Sequence, residues 1–267
     1  MAELVSLAEA VHRHVRDGDT VAIEGFTHLI PTAAGAALIR SGRTDLHLVK
    51  MTPDVVCDQL IGAGCARALT FGWGGNAGVG SLHRFRDAVE NGWPRPLALD
   101  EHSHAGLVNR YVAGASGLPF AVMRGYVGTD LPAHNPTISK VTCPFTGEEL
   151  TAVAALNPDV AFIHAQRADR AGNVQLWGIV GAQKEVVLAA RRSIVTVEEV
   201  VDTLDRRPGD VILPSWVLSA VAVVPGGARP SYAAGYYERD NDGYRAWGET
   251  SKTRESFTAW LDGVRSS

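Results

Sequence analysis

Cysteine is scarce in this chain. Its three copies in 267 residues, Cys57, Cys65 and Cys143, are an odd number scattered over a long sequence. That excludes a disulfide framework and fits a reducing compartment, the cytoplasm being the simplest address. Long apolar runs are also missing: no stretch reaches the roughly 18 residues that a spanning helix needs. The opening Met1-Ala2-Glu3 lacks the basic region of a signal peptide, and Glu9, His12, Arg13 and His14 interrupt the apolar residues that follow. Charge of one sign is absent too, since 25 Lys and Arg against 29 Asp and Glu leave a formal net charge of -4. Such a balance offers no electrostatic drive towards nucleic acid or an anionic membrane, and neither is an expected partner. A P-loop ending in Lys-Ser/Thr and a Gly-x-Ser-x-Gly elbow are both lacking, which disfavours a nucleotide triphosphatase and a serine hydrolase. With no internal repeat and no low-complexity linker, the chain reads as one domain over residues 1–267, ending in an arm from about 226.

What the chain has in quantity is glycine, 28 copies, with 13 prolines and 46% hydrophobic residues. This suits a large core crossed by many strand-to-helix junctions. Leu4, Leu7, Ala8, Val11 and Val15 recur at helical spacing and precede the strand Val21-Ala22-Ile23. Helix and strand then alternate: a helix over 32–40 with Pro31 in its first turn, a strand over 46–49, a helix over 55–61, a strand over 68–71 and a helix over 82–89 closed by Asn91-Gly92. A strand at Leu97-Ala98-Leu99, a helix from about His104 to Ala115 and a strand around Phe120 to Met123 complete the first half. In the second half, strands at 138–141, 150–154, 160–163 and 174–177 follow one another with only loops between them, so mixed pairing is expected. A helix near 183–190 and the β-branched strand Ile194-Val195-Thr196-Val197 restore the alternation, and a final helix runs from about Lys252 to Leu261. The pattern predicts an α/β protein with an open, largely parallel, doubly wound sheet and mixed or antiparallel additions.

Ligands of such sheets bind beyond the carboxyl ends of the parallel strands, and four segments placed there carry unusual residues. In Glu24-Gly25-Phe26-Thr27-His28-Leu29-Ile30-Pro31, Gly25 allows close backbone approach to an anion or an amide chain, with Phe26 beside it or in the core. The loop from Gly72 to Ser81 contains Gly74, Gly75, Asn76, Gly78 and Gly80. It fails the dinucleotide spacing and suits a backbone nest for a carboxylate or phosphate, with Ser81 at its end. Asp100-Glu101-His102-Ser103-His104 crowds two acids and two imidazoles into one junction. Ser103 and Asp100 read as helix-capping residues, whereas Glu101 is a base or nucleophile if desolvated. No third ligand accompanies His102 and His104, so no metal is expected. Arg124 is placed either to clamp a carboxylate or to pair with a local acid such as Asp130. Cys57 and Cys65 read as small core residues.

Taken together, these segments resemble the alpha subunits of family I coenzyme A transferases of the glutaconate CoA-transferase-like type. The likeness lies in Val21 to Gly35, Met51-Thr52-Pro53-Asp54, Asp58 to Arg67, Trp73-Gly74-Gly75-Asn76, Gly78 to Arg84, Glu101-His102-Ser103-His104, Ala113 to Val122, Val141 to Glu148 and Tyr236 to Asn241. The wording is most similar to members acting on 3-oxoadipate. The resemblance implies transfer of CoA from succinyl-CoA to 3-oxoadipate, a step of aromatic degradation through the β-ketoadipate pathway, with no metal or dissociable cofactor. It further implies a beta subunit, in a heterodimer or heterotetramer, that supplies the nucleophilic glutamate. Glu90-Asn91-Gly92 mimics the motif of that glutamate but ends a helix. The present chain would then contribute pocket walls at Gly25, Phe26, Gly74, Gly75, Asn76, Ser81 and Arg124, with Glu101 as its own candidate catalytic group. Homologous pairs that are CoA-dependent ring-cleaving hydrolases of steroid breakdown use an acid and a later arginine of the alpha chain, and Asp100-Glu101 and Arg124 match those positions. A non-catalytic acyl-CoA-binding or regulatory protein on the same fold is the third reading.

Overall fold

The computed structural model describes residues 2–76 and 79–266; Gly78, one of the loop glycines singled out above, lies outside them. In chain order the elements are β1 (Glu3–Leu4), α1 (Leu7–His14), β2 (Thr20–Ile23), α2 (Thr32–Arg40), β3 (Leu46–Lys50), α3 (Val55–Gly62), β4 (Ala66–Phe71), α4 (His83–Asn91), β5 (Ala98–Glu101) and α5 (His104–Ala115). They continue with β6 (Phe120–Met123), α6 (Leu131–His134), β7 (Ile138–Thr142), β8 (Glu149–Ala154), β9 (Val160–Asp169), β10 (Val174–Leu176), α7 (Gln183–Ala189), β11 (Arg192–Val201), β12 (Val211–Leu213), β13 (Ala220–Val223), α8 (Asn241–Lys252) and α9 (Arg254–Ser266).

The main sheet runs in the order β1-β13-β11-β9-β2-β3-β4-β5, and every neighbour on that path is parallel. Strands buried on both faces need apolar residues on both faces, which explains their unbroken apolar runs. Alternation divides them cleanly. Val21 and Ile23 of β2, Leu48 of β3 and Phe162 of β9 join a core with α1, α2, α3, α8 and α9, while Ala22, Val49, Ala161 and Ile163 join the opposite core with α5 and α7. The doubly wound α/β expectation therefore holds. Antiparallel pairing is confined to β10 with β9 and β12, and to a separate three-stranded sheet in the order β6-β8-β7.

Several assignments differ from the sequence reading: β1, α6, β12 and β13 went unread, and Leu4 lies in β1 and not in the first helix. The strand at Phe120–Met123 does not extend the parallel series; it pairs with β8 in the small sheet. β9 does not stop at Ile163 but runs to Asp169, because β11 pairs with it in register from Arg192↔Val160 to Val201↔Asp169 and satisfies the backbone past the polar His164 and Gln166. The C-terminal helix is two helices broken near Thr253, and α8 went unread. Its two glycines, Gly243 and Gly248, lower helix propensity and obscure the stripe of Tyr244, Trp247 and Ser251, which is what it buries. The arm folds back on its own chain, where Tyr244, Trp247, Phe257 and Leu261 join the core.

The junction of that arm with α3 is polar. Asp58, fully buried, accepts from the backbone N–H of Phe85 at 2.8 Å and from Trp247 Nε1 at 3.0 Å. Burial pushes its carboxyl up to about 6. A raised value in the folded chain means that the group favours folding below its unfolded pKa near ~4 and that this advantage is lost as pH rises through about 6. Trp247 donates to the charged form. Trp247→Phe is therefore expected to cost about 1–3 kcal/mol at pH 8 and distinctly less at pH 5, as measured by urea unfolding at both; equal losses would refute the account.

Candidate active site at the carboxyl edge of the sheet

Strands β2, β3 and β4 end on the same side, and the residues just beyond them meet. Glu24 follows β2 and is 1% exposed; Lys50 ends β3 and is 0% exposed. Lys50 Nζ donates to the carbonyls of Ile23 at 2.9 Å and Gly25 at 3.0 Å, and lies 3.5 Å from Asp54 Oδ2. Glu24 Oε1 accepts from Met51 N–H and from the Tyr111 hydroxyl, each at 2.9 Å. Asp54 caps α3 through Val56 N–H at 3.1 Å. One ammonium thus stands between two buried carboxyls. Burial raises both carboxyl pKa values, and Lys50 opposes the rise. The cluster ties the ends of β2 and β3 to the start of α3 and, through Tyr111, to the second half of α5.

The chain from Gly25 to Pro31 wraps over this cluster under strain. Thr27 and Leu29 have φ of +58° and +53°, the left-handed region that side chains disfavour. Gly25 is obligatory, since a Cβ there would lie 2.5 Å from the Leu29 carbonyl oxygen. Tertiary bonds hold the loop: Leu29 N–H donates to Tyr232 O at 3.0 Å, His28 Nδ1 donates to Ile179 O at 2.9 Å, and His28 Nε2 accepts from Ala234 N–H at 3.0 Å. Burial lowers the His28 pKa, and its ring works as a neutral bridge between two loops.

Above the cluster is a cavity of about 100 Å³ lined mainly by Phe26, Ile30, Trp73, Asn76, His104 and Tyr244, with Thr52 and Asp54 in its floor. A second cavity of about 300 Å³ shares Trp73, Gly75 and Asn76 and extends to Ser81 and Phe85. Thr52 Oγ1 and His104 Nε2 are hydrogen-bonded at 3.0 Å, and Phe26 meets the His104 ring edge to face. Asn76 is 4% exposed, yet neither of its carboxamide atoms has a hydrogen-bond partner among the described residues. Leaving such a group unsatisfied costs about 1–3 kcal/mol.

The structure distributes the sequence candidates unevenly. Phe26, Gly75 and Asn76 line the first cavity, Gly74 and Ser81 border only the second, and Gly25 lines neither. Gly74 has no steric need to be glycine, because a Cβ there would meet the Phe85 ring at an ordinary 3.5 Å. Gly72 does, its Cβ falling 2.6 Å from the His104 ring. Glu101 is exposed and lines neither cavity. Arg124, at the end of β6, is brought into the small sheet and away from the parallel edge. It pairs with Glu148, in the turn just before β8, through Nε and Nη2 at 2.8 and 2.9 Å, not with Asp130.

Asp100 is not the helix cap that the sequence suggests. Ser103 fills that role, its hydroxyl accepting from Gly106 N–H. Asp100 instead accepts from Thr70, Arg110 and Asn135 and lies 3.3 Å from His102 Nε2. Burial works against its charge, but His102, Arg110 and Thr70 more than offset this and hold the carboxyl far below the usual range. Asn135 also donates to the Glu101 carbonyl at 2.7 Å, so this hub fastens the small sheet's approach to the end of β5. Cys57 and Cys65 are buried, and burial raises both thiols, Cys65 to about 11. No cluster of metal-ligating side chains occurs among the described residues.

Lys50, Glu24, Asp54 and Tyr111 were missed as a unit. Lys50 and Tyr111 read as ordinary residues of a strand and a helix; the signal available was a lysine ending an apolar strand, where a charge needs partners.

Residues 4–223 match the family described as Coenzyme A transferase. The chain is 67% identical to one of the subunits of 3-oxoadipate CoA-transferase from Pseudomonas knackmussii, over 98% of this chain and 93% of that one. It is 28% identical to the cholesterol ring-cleaving hydrolase IpdA subunit of Rhodococcus jostii, over 96% of this chain and 90% of that one. The crystal structure of glutaconate coenzyme A-transferase from Acidaminococcus fermentans superposes with a TM-score of 0.92 at 30% identity, covering 100% of this chain and 90% of its counterpart.

Removing the ammonium from the buried cluster leaves two carboxyls facing each other without a cation. Lys50→Met is expected to destabilise the chain by about 3–5 kcal/mol. The deficit should be greater at pH 8 than at pH 5, where protonation relieves the carboxyls. Denaturant unfolding at the two pH values measures it, and a pH-independent deficit would contradict the charge argument.

Proposed function

The chain belongs to the coenzyme A transferase family, and we propose that it is the alpha subunit of an enzyme that moves CoA from succinyl-CoA to 3-oxoadipate. The observation that carries this reading is the 67% identity over 98% of the chain to a component of 3-oxoadipate CoA-transferase. The geometry is compatible with a site completed by a second chain. Both carboxyls under the cavity are occupied, Glu24 by Met51 and Tyr111 and Asp54 by Val56 and Lys50. Glu101 stands in the open, outside the cavity lining. On this reading the carboxylate nucleophile comes from a beta subunit.

On this reading a glutamate carboxylate of the beta chain attacks the succinyl-CoA carbonyl, the C–S bond breaks and CoA leaves as thiolate from a succinyl-glutamyl anhydride. The thiolate then attacks the glutamyl carbonyl, releasing succinate and leaving a glutamyl-CoA thioester. Attack by the 3-oxoadipate carboxylate and return of the thiolate repeat the two steps in reverse order and yield 3-oxoadipyl-CoA. No electrons are transferred and no bound cofactor enters the balance. The present chain contributes the wall of the pocket, with Phe26, Gly75 and Asn76 on the side of the first cavity, Ser81 on the second, and Gly25 in the turn that leads to Phe26. The strained loop and the buried Lys50 cluster keep that wall rigid while charge moves, which is the condition for preorganised stabilisation.

Two measurements check the reading. The chain co-expressed with its beta partner is expected to convert succinyl-CoA and 3-oxoadipate into 3-oxoadipyl-CoA and succinate, whereas the chain alone is inactive; release of free CoA without 3-oxoadipyl-CoA would overturn the transferase reading. Borohydride reduction of the complex after incubation with succinyl-CoA should modify the beta chain and leave Glu101 untouched in the peptide mass spectrum.

A further inference from the structure

Asn76 is a buried polar group in the cavity wall whose side chain has no hydrogen-bond partner among the described residues. Thr52 is bonded to His104, and Asp54 to Val56 N–H and Lys50. The Asn76 side chain is 4% exposed, lines both the 100 Å³ and the 300 Å³ cavities, and has no hydrogen-bond partner for Oδ1 or Nδ2 among the described residues. A buried carboxamide with both atoms unsatisfied is costly to the fold, and a cost of this kind persists where a ligand removes it.

The chemistry of the ligand group follows from the pair. It has to return one hydrogen-bond acceptor and one donor to the same planar carboxamide, and turning the amide over does not change that requirement. The acyl portions of the proposed substrates, carboxylates, a ketone and a thioester carbonyl, carry acceptors alone. Any of them would satisfy Nδ2 and set a second lone pair against Oδ1. The pantetheine arm carries both in its two secondary amides. Each is trans, with C=O and N–H pointing opposite ways, so one amide meets only one atom of the carboxamide; the carbonyl of one accepts from Nδ2 while the N–H of the other donates to Oδ1. In the rest of the wall, Phe26, Ile30 and the Tyr244 ring complement the methylenes that join such amides, with Thr27, Thr52, His104 and Arg239 as polar neighbours. Trp73, 51% exposed, stands where the two cavities meet and offers a ring face to an extended chain.

We propose that Asn76 binds the pantetheine arm between its two secondary amides, donating to the carbonyl of one and accepting from the N–H of the other, and so sets the depth at which the thioester enters the site. This rests on the reading of the chain as a CoA-transferase component. The binding is to the arm and not to the acyl group, which predicts discrimination between thioesters by their thiol part.

The test compares the wild-type complex of alpha and beta chains with Asn76→Asp, which keeps an acceptor and removes the donor, and with Asn76→Leu, which removes both. The kcat/KM for succinyl-CoA is divided by that for the succinyl thioester of ethanethiol, which has no amide, with 3-oxoadipate as acceptor in both. The ratio is expected to fall about tenfold in Asn76→Asp and further in Asn76→Leu. Calorimetric binding of CoA to the complex should weaken by a similar factor. An unchanged ratio, with both thioesters slowed alike, or unaltered CoA affinity in variants that still assemble with the beta chain, overturns the assignment. A wild-type complex that forms no 3-oxoadipyl-CoA would refute the transferase reading instead, and the CoA-binding measurement would still decide the role of Asn76.

Discussion

The carboxyl edge of the sheet depends on one buried ammonium. Lys50 is wholly enclosed and donates to the carbonyls of Ile23 and Gly25, so the end of β2 and the turn after it are held by a side chain of β3. Those carbonyls point past the last ladder bonds of β2, where a parallel strand has no further partner, and the lysine replaces that partner. An ammonium in such a place needs negative charge nearby, which Asp54 supplies, and Asp54 in turn caps α3. Glu24 is drawn into the same site and ties α5 to it through Tyr111. Charge, cap and strand end are one arrangement.

That arrangement is what makes the strained loop over it sustainable. Left-handed φ at Thr27 and Leu29 is unfavourable locally, and persists because residues far along the chain hold it. Tyr232 and Ala234 bond to it from the C-terminal arm and Ile179 from the loop before α7. The arm itself is anchored by a second buried network. Glu198 accepts from Tyr237 and Gly226 N–H and lies 2.7 Å from His164 Nε2, joining the arm to β9 and β11. The cavity wall is thus set from opposite ends of the sequence, and its rigidity belongs to the packing as a whole.

Much of the fold was legible because a parallel sheet imposes a simple grammar. Pro31 before α2, Ser103 at the cap of α5, and Gly92 in the left-handed conformation after α4 are local signals that mean the same in isolation and in the fold. Other signals were ambiguous for physical reasons. The apolar Phe120–Met123 segment reads identically whether it pairs in the parallel sheet or with β8, since strand propensity does not specify a neighbour. Its misplacement carried Arg124 with it. At the site, Phe26, Gly75 and Asn76 were legible from their position after strands, whereas Lys50 and Tyr111 were silent because nothing local marks a partner more than twenty residues away.

By itself the sequence determined the alternation of helix and strand, the apolar character of both sheet faces and the words that mark the family. These depend on residues close together in the chain, through periodicity, caps and turns. Only the tertiary structure decided which strand ends face a common cavity, that Asp100 serves Arg110 and Asn135 and not its own helix, that Arg124 belongs to the small sheet and that Asn76 is left unpaired. Each is a property of hydrogen bonds and charges between distant segments, and whether a buried polar group is satisfied is known only when every neighbour is in place.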